Sequence, residues 1–381
     1  MRYESKLHVN FDFLRENLTK VKSRCSSSEL IFMVKANAYG HGIVPITSFS
    51  HSELGVRNFG LASLGEANLL RSEIKSTDFN LYVFSDLNLG ISRHAELYAQ
   101  RKIIPVISNL IDLKIFLETP IFKSLPLVLK FNTGMNRIGF SVTDLEEVFK
   151  LIRLSSRSSI HHLMTHLGCA NLKFKENGTT SRQLENFNII KDYFKSKLIS
   201  VERTSISNSA AIEQGIGLEE SHVRPGLMMY GPKSTMENVT VSNPWDGKII
   251  SSLKTKIIGL RAVKKGTPIG YGANPCPRDG QLAIIALGYG DGLSTYYSGA
   301  KISHHGDSGQ IIGRVNMDMA QVLFPPSMEK KLRVGDEISV WDHSSSQVGE
   351  LCKHLKTIPY ELFCQVSVRV PRVYSGQRCI T

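Results

Sequence analysis

The stretch Phe32-Met33-Val34-Lys35-Ala36-Asn37-Ala38-Tyr39-Gly40-His41-Gly42 sets one lysine at the end of an apolar run and follows it with small, polar and glycine residues. An amine placed this way has a dry wall on one side, which lowers its pKa from about 10.4, and an open side from which a carbonyl can reach it. The chemistry this permits is covalent capture of a carbonyl compound as a Schiff base. A lysine after an apolar run can equally be a strand-end side chain carrying its charge out to water, so Lys35 alone decides nothing. Further candidates are Lys130, Arg137 within Asn132-Thr133-Gly134-Met135-Asn136-Arg137-Ile138-Gly139, His166, the pair Asn208-Ser209, and Arg224. Each has an ordinary reading as well. Arg137 could be a loop arginine paired with an acid, His166 a core histidine or half of a thiol–imidazole pair with Cys169, and Lys130 a simple strand lysine. Ser209-Ala210-Ala211 resembles a helix N-cap, which is also where phosphate likes to sit.

Such residues act together only if the elements between them bring them to one place. Eight short apolar runs alternate with stretches of helical spacing up to about Gly231: Leu30–Lys35, Asn58–Ser63, Asn80–Ser85, Lys102–Ser108, Leu125–Asn132, Ile160–His166, Arg203–Ser209 and Val223–Tyr230. Helix-like segments among them include Gly65–Glu73, Leu110–Glu118, Asp144–Leu154 and Ser181–Phe194. Eight strand-then-helix units predict a (β/α)8 TIM-type barrel, with a doubly wound open sheet as the alternative. In a parallel barrel every strand points its C-terminal end to the same rim. On that reading Lys35, Lys130, Arg137, His166, Asn208, Ser209 and Arg224 gather on one face.

From about Asn243 the texture changes to strand runs separated by glycine turns, which predicts a mainly β domain. Candidate strands are Ser252–Val263, Gln281–Leu287, Gln310–Ala320, Glu337–Trp341 and Phe363–Val370, with helical periodicity at Val348–Lys356. The Ser-, Thr-, Asn- and Pro-containing segment Lys233–Asp246 reads as the linker. The expected division is residues 1–235 and 236–381, with the first few residues pairing with the second domain.

The totals exclude several function classes. A chain of 381 residues that is 41% hydrophobic buries a large core and is a poor match for a simple binding module. Its net charge of +12 raises the question of nucleic acid, but Lys264-Lys265 and Lys330-Lys331 are isolated pairs mixed with acids, and no basic block or interleaved aromatic motif occurs. No apolar run approaches membrane-spanning length. Cys25, Cys169, Cys276, Cys352, Cys364 and Cys379 are scattered without metal-ligand spacing. Free thiols, no metal and a cytoplasmic protein are the expectation.

The string Val34-Lys35-Ala36-Asn37-Ala38-Tyr39-Gly40-His41-Gly42 closely resembles the cofactor-lysine motif of the alanine racemases, and the resemblance runs nearly the whole chain. In family order follow Phe131 to Gly139, Thr165-His166, Asn208-Ser209-Ala210-Ala211, Arg224-Pro225-Gly226-Leu227-Met228-Met229-Tyr230-Gly231, Gly270-Tyr271-Gly272, Gly288-Tyr289-Gly290-Asp291-Gly292, Gly313-Arg314-Val315-Asn316-Met317-Asp318 and Pro359-Tyr360-Glu361. The resemblance implies a head-to-tail homodimer with shared sites that interconverts L-alanine and D-alanine and supplies peptidoglycan synthesis. Lys35 would carry pyridoxal 5′-phosphate as a Schiff base and exchange protons on one face of the substrate, while Tyr271 of the other subunit serves the opposite face.

By the same resemblance, Tyr39, Ser209, Gly226, Leu227 and Tyr360 match the phosphate ligands, and Arg224 faces the pyridine nitrogen. His166, with Arg224, would tune Tyr271, and Asn208 belongs to the cofactor site. Arg137 and the backbone at Met317 would hold the substrate carboxylate. Lys130 would support Arg137, as an amine or a carbamate, with Tyr289 and Asp318 as further supporting residues. A broader amino-acid or serine racemase of the same fold, or a non-catalytic pyridoxal-phosphate carrier, are the alternative readings. Departures from the family pattern are the stretch His166-Leu167-Gly168-Cys169-Ala170-Asn171, which lacks the usual phenylalanine and acid, together with Gly270 and Asn316.

Overall fold

Glu29–Leu30 and Phe32–Met33 are two halves of one strand, interrupted at Ile31, and the halves have different neighbours. In the computed structural model, which describes residues 4–376 apart from Asp86 and Ser156, Leu30 pairs with Val223 and Phe32 with Phe59, both in parallel. Between these two partners the sheet runs through Asn58–Leu61, Asn80–Val83, Ile103–Ile107, Val128–Lys130, His162–Met164, Thr204–Asn208 and His222–Arg224. The sheet therefore closes on itself as a parallel barrel, and the open-sheet alternative is excluded. Each of the eight apolar runs overlaps one of these strands.

The strands read as nearly continuous apolar runs because both of their faces are covered. Ile31, Tyr82, Ile104, Val106, Val128 and Met164 pack together inside the barrel. Alternate residues such as Phe32, Phe59, Leu81, Ile103, Ile107 and Leu129 face outward into the main core beneath the helices. Those helices include Leu64–Glu73, Leu110–Glu118, Leu145–Leu154 and Thr179–Ser196. Ser63 and Glu66 form a reciprocal capping box at the first of them.

The second sheet is built round the long strand Ser251–Val263. Its two ends use different partners: Leu253 pairs with Trp341 and with Leu7, whereas Leu260 pairs with Ala283. Gly280–Ile285, Ala320–Phe324, Asp307–Ile312, Lys301–His304 and Glu337–Trp341 complete a closed antiparallel circuit with it. Lys6–Asn10 then joins the edge, and Arg372–Ser375 pairs parallel to Lys6–Asn10.

Two expected strands are corrected. The run Gln310–Ala320 is not one strand: Asp307–Ile312 ends before the loop containing Met317, and a new strand starts at Ala320. Phe363–Val370 is not a strand either, because Pro359 at the first helical position starts the helix Pro359–Cys364 and the chain is irregular beyond it. The helix expected at Val348–Lys356 is Ser345–Leu355. Among the described residues no helix is long and apolar enough to cross a membrane. Cys25, Cys169, Cys276, Cys352 and Cys364 are free thiols, while Cys379 lies outside the described residues.

Phe59 is fully buried against Phe32 and Phe79 at the strand that completes closure. Phe59→Ala should lower unfolding stability by about 3–5 kcal/mol in denaturant titrations. A loss below about 1 kcal/mol would show that this contact is not part of the closed core.

Candidate active site

Lys35 does not end a strand directly. The strand stops at Met33, and Ala36, Asn37, Ala38 and Tyr39 all take left-handed backbone angles, with φ between 52° and 55°. Such a turn costs L-residues about 1–2 kcal/mol each, so it needs restraint. Within the turn, Ala38 N–H donates to Val34 O at 2.8 Å, Gly42 N–H to Asn37 O at 2.9 Å, and Ile43 N–H to Asn37 Oδ1 at 2.8 Å. The Glu66 carboxylate accepts from the N–H of Ala36 at 2.6 Å as well as from Ala62 at 2.9 Å. Gly40 is required here: its φ is +81°, and a Cβ would collide with the carbonyl of Phe363 from the second domain.

The turn delivers Lys35 to a cavity of about 960 Å³ at the C-terminal rim of the barrel. Lys35, Tyr39, Lys130, Arg137, His166, Asn208, Ser209, Arg224, Gly226, Leu227 and Tyr360 all line it. The charge there is one-sided. Lys35, Lys130, Arg137, Arg224 and Lys233 face a single lining carboxylate among the described residues, Glu237. Burial first, then the charge of Arg137, lowers the pKa of Lys35, while Glu66 pulls the other way. Burial, Arg137, Arg224 and Lys35 bring Lys130 down to about 7. His166 is held well below the ordinary histidine range by burial and by Arg224, Arg137, Lys130 and Lys35, so its ring is neutral. The cations in this cavity are its lysines and arginines.

Arg224 ends its strand and is buried. Its guanidinium donates to Ser205 Oγ, to the carbonyl of Thr165, and to the carbonyl of Ile206 at 3.2 Å. Burial lowers its pKa only to about 10, so it stays charged at neutral pH. Arg137 is exposed at the rim and pairs with no carboxylate among the described residues, contrary to its ordinary loop reading. No hydrogen bond joins His166 to Cys169; instead Gln183 donates to the His166 carbonyl at 3.0 Å and accepts from Gly168 N–H at 2.9 Å.

At the other end of the cavity the N-cap is Asn208 rather than Ser209. The Asn208 side chain accepts from Ala211 N–H at 3.1 Å, which leaves the Ser209 hydroxyl to accept from Gly226 N–H at 2.8 Å. A Cβ on Gly226 would collide with the Tyr39 hydroxyl, and the Tyr39 and Tyr360 rings lie 5.8 Å apart. Three hydroxyls and the chain at Gly226-Leu227 thus form a cradle closed to larger side chains, suited to the oxygen atoms of a phosphate.

Tyr271, Tyr289, Met317 and Asp318 do not line this cavity. Tyr271 stands at the tip of the hairpin joining Pro268–Ile269 to Asn274–Pro275 and is 71% exposed. Tyr289 and Gly290 donate from their N–H groups to the carbonyls of Asn316 and Met317 at 2.9 Å each, so these residues form a separate exposed patch. Asp318 pairs there with Arg369 at 2.7 Å. Reading the sequence missed Glu66, Gln183 and Ser205. Only Glu66 had a local signal, the spacing Ser63-Leu64-Gly65-Glu66.

Residues 9–234 match the family model for the alanine racemase N-terminal domain, and residues 250–374 match that for the C-terminal domain. The alanine racemase of Nitrosococcus oceani is 31% identical over 369 residues, covering 96% of this chain and 97% of that protein. The solved alanine racemase of Clostridium difficile 630 has a TM-score of 0.87 at 25% identity, covering 98% of this chain and 96% of that one. The alanine racemase of Bartonella henselae, solved with covalently bound pyridoxal phosphate, shares the fold at a TM-score of 0.83 and 22% identity, covering 98% of this chain and 100% of that one. A parallel barrel with a rim lysine, followed by an antiparallel β domain, is here the framework of an isomerase of the racemase class. The chain belongs to the alanine racemase family.

The low pKa of Lys130 has a measurable consequence. An unfolded lysine titrates near about 10.4, so between about pH 7 and 10 the unfolded chain holds a proton that the folded chain lacks. Stability rises with pH across that window and carries its full penalty below it. Lys130→Met should therefore raise the melting temperature of the cofactor-free protein by several degrees at about pH 6.5 and by much less at about pH 9.5. Equal shifts at the two pH values would contradict the depressed amine.

Proposed function

We propose that this chain is an alanine racemase that interconverts L-alanine and D-alanine by proton transfer between two bases, with pyridoxal 5′-phosphate held at Lys35. The carrying observation is the single cavity in which the Lys35 amine, a hydroxyl-lined cradle and a buried arginine converge. Tyr39, Ser209, Tyr360 and the chain at Gly226 and Leu227 would hold the phosphate, with Asn208 fixing the helix that carries Ser209. Bound there, the cofactor supplies an electron sink that acidifies the hydrogen on the substrate's α-carbon.

This chain's residues would do the rest. Lys35, with its pKa lowered by burial, takes or returns the proton on one face. Arg137, which pairs with no carboxylate among the described residues, is a natural partner for the substrate carboxylate through paired N–H donors. Lys130 supports Arg137, and an amine that is partly neutral near pH 7 can do so as it stands or as the carbamate formed with carbon dioxide. Arg224 keeps its proton at neutral pH and would hold the cofactor's ring nitrogen as a donor, which would leave that nitrogen unprotonated and moderate the electron sink.

The opposite face needs a second base. We assign Tyr271, exposed on the β domain, to the cavity of a second copy, with the Met317 backbone, Tyr289 and Asp318 at the same junction. An ordinary tyrosine is only about one part in a thousand phenolate at neutral pH. The cations of Arg224 and Arg137 would favour the phenolate. This reading divides the work between residues 1–235 and 236–381 of different subunits in a homodimer. A cytoplasmic place of action and supply of D-alanine to peptidoglycan belong to it through the family.

Lys35→Ala and Tyr271→Ala homodimers should each be nearly inactive. Coexpression should yield heterodimers in which one site carries both lesions and the other carries none. With random pairing, half the dimers are mixed and half their sites intact, so activity should recover to roughly a quarter of wild type. Verified heterodimers as inactive as their parents would overturn the shared site.

A further inference from the structure

His41 belongs to the same motif as Lys35, lies outside the cavity lining, and is completely buried. Its Nδ1 is 3.1 Å from the Ala38 carbonyl, inside the left-handed turn, and its Nε2 is 2.9 Å from Ser251 Oγ, at the start of the long strand of the second domain. A carbonyl only accepts, so Nδ1 carries the proton, Nε2 is the acceptor and the serine hydroxyl donates to it. The ring is fixed in its plane by Tyr230, stacked at 4.9 Å, and by the edge of Phe363 at 5.1 Å.

Two more bonds from the second domain reach the same few residues. Tyr374 Oη donates to the His41 carbonyl at 3.0 Å, and Arg372 Nε donates to the Gly40 carbonyl at 3.0 Å. Gly42 has φ +99°, and a Cβ there would collide with the Tyr374 hydroxyl. Lys35 is thus presented by a turn whose far end is tied to Ser251, Arg372 and Tyr374.

We infer that His41 is a positioning residue for Lys35: with Ser251 and Tyr374 it latches the left-handed turn to the second domain of its own subunit, setting where the amine stands relative to a bound cofactor's aldehyde. The second domain then serves its own barrel through this latch as well as a neighbouring site through Tyr271. The inference rests on the reading of Lys35 as the cofactor lysine.

The test separates covalent capture from simple binding. Ser251→Ala/Tyr374→Phe removes two donors to His41 without touching the cavity lining. Binding of pyridoxal 5′-phosphate is measured by absorbance and borohydride trapping at Lys35. Binding of pyridoxamine 5′-phosphate, which has the ring and phosphate but no aldehyde, is measured alongside. The double variant should bind the aldehyde about tenfold more weakly, in line with the loss of two hydrogen bonds, and should bind the amine as wild type does. His41→Asn, whose amide can replace the Nδ1 donor, should keep more covalent capture than His41→Leu. Parallel losses for both ligands, or unchanged capture in the double variant, would overturn the latch. If the wild-type protein traps no adduct at Lys35, the parent reading fails instead.

Discussion

Five cationic side chains share one cavity with a single lining carboxylate. Charges of one sign in a partly dry space repel one another far more strongly than they would in water, and the site's chemistry follows from how the chain relieves that repulsion. Burial is the larger cause of the lowered pKa values and the neighbouring cations add to it: Lys130 falls to about 7, Lys35 is lowered, and His166 stays neutral. The lowered pKa favours the neutral, nucleophilic form of the Lys35 amine. The charge that remains sits largely on Arg224 and Arg137, which cannot readily discharge. One lies in the floor, held by backbone carbonyls and a serine; the other lies at the rim with no counter-ion among the described residues. Such a cavity favours anions, and it favours the ionised form of any phenol brought to it.

The fold makes that crowding possible. Eight strands pointing the same way send Lys35, Lys130, His166, Asn208 and Arg224 to one rim, while the inner and outer cores absorb the apolar remainder of each strand. The antiparallel domain contributes in two directions. Its edge strand and the start of its long strand hold the lysine turn, and its hairpin carries Tyr271 out into solvent, away from its own chain's cavity. A tyrosine left so exposed, away from its own chain's cavity, makes a shared site physically reasonable.

The barrel was legible in the sequence because a strand covered on both faces reads as an uninterrupted apolar run, and such runs are easy to count. Seven rim residues followed from that pattern alone. The β domain was less legible. The run from Gln310 to Ala320 looks continuous although the chain turns at Gly313, and the apolar stretch after Phe363 hides a helix begun by Pro359. Lys6–Asn10 pairs with residues more than 240 positions away, so no local signal marks its place. Ser205 behind Arg224 and Gln183 behind His166 are equally silent, since a hydrogen bond across strands leaves no spacing in the chain. Tyr271 was identified through family resemblance, not through any local pattern, and the left-handed course of Ala36 to Tyr39 was not anticipated at all.

The central claim is that two different groups serve opposite faces of one carbon. It can be tested by converting L-alanine with the cofactor-loaded protein in deuterium oxide and analysing each enantiomer at low conversion by chiral separation and mass spectrometry. With two bases, the hydrogen removed from one face is not the one delivered to the other, so the D-alanine formed should carry deuterium at its α-carbon from the first turnovers. If much of the early D-alanine instead retains the substrate's own hydrogen, one group is carrying it across, and the two-base account is contradicted.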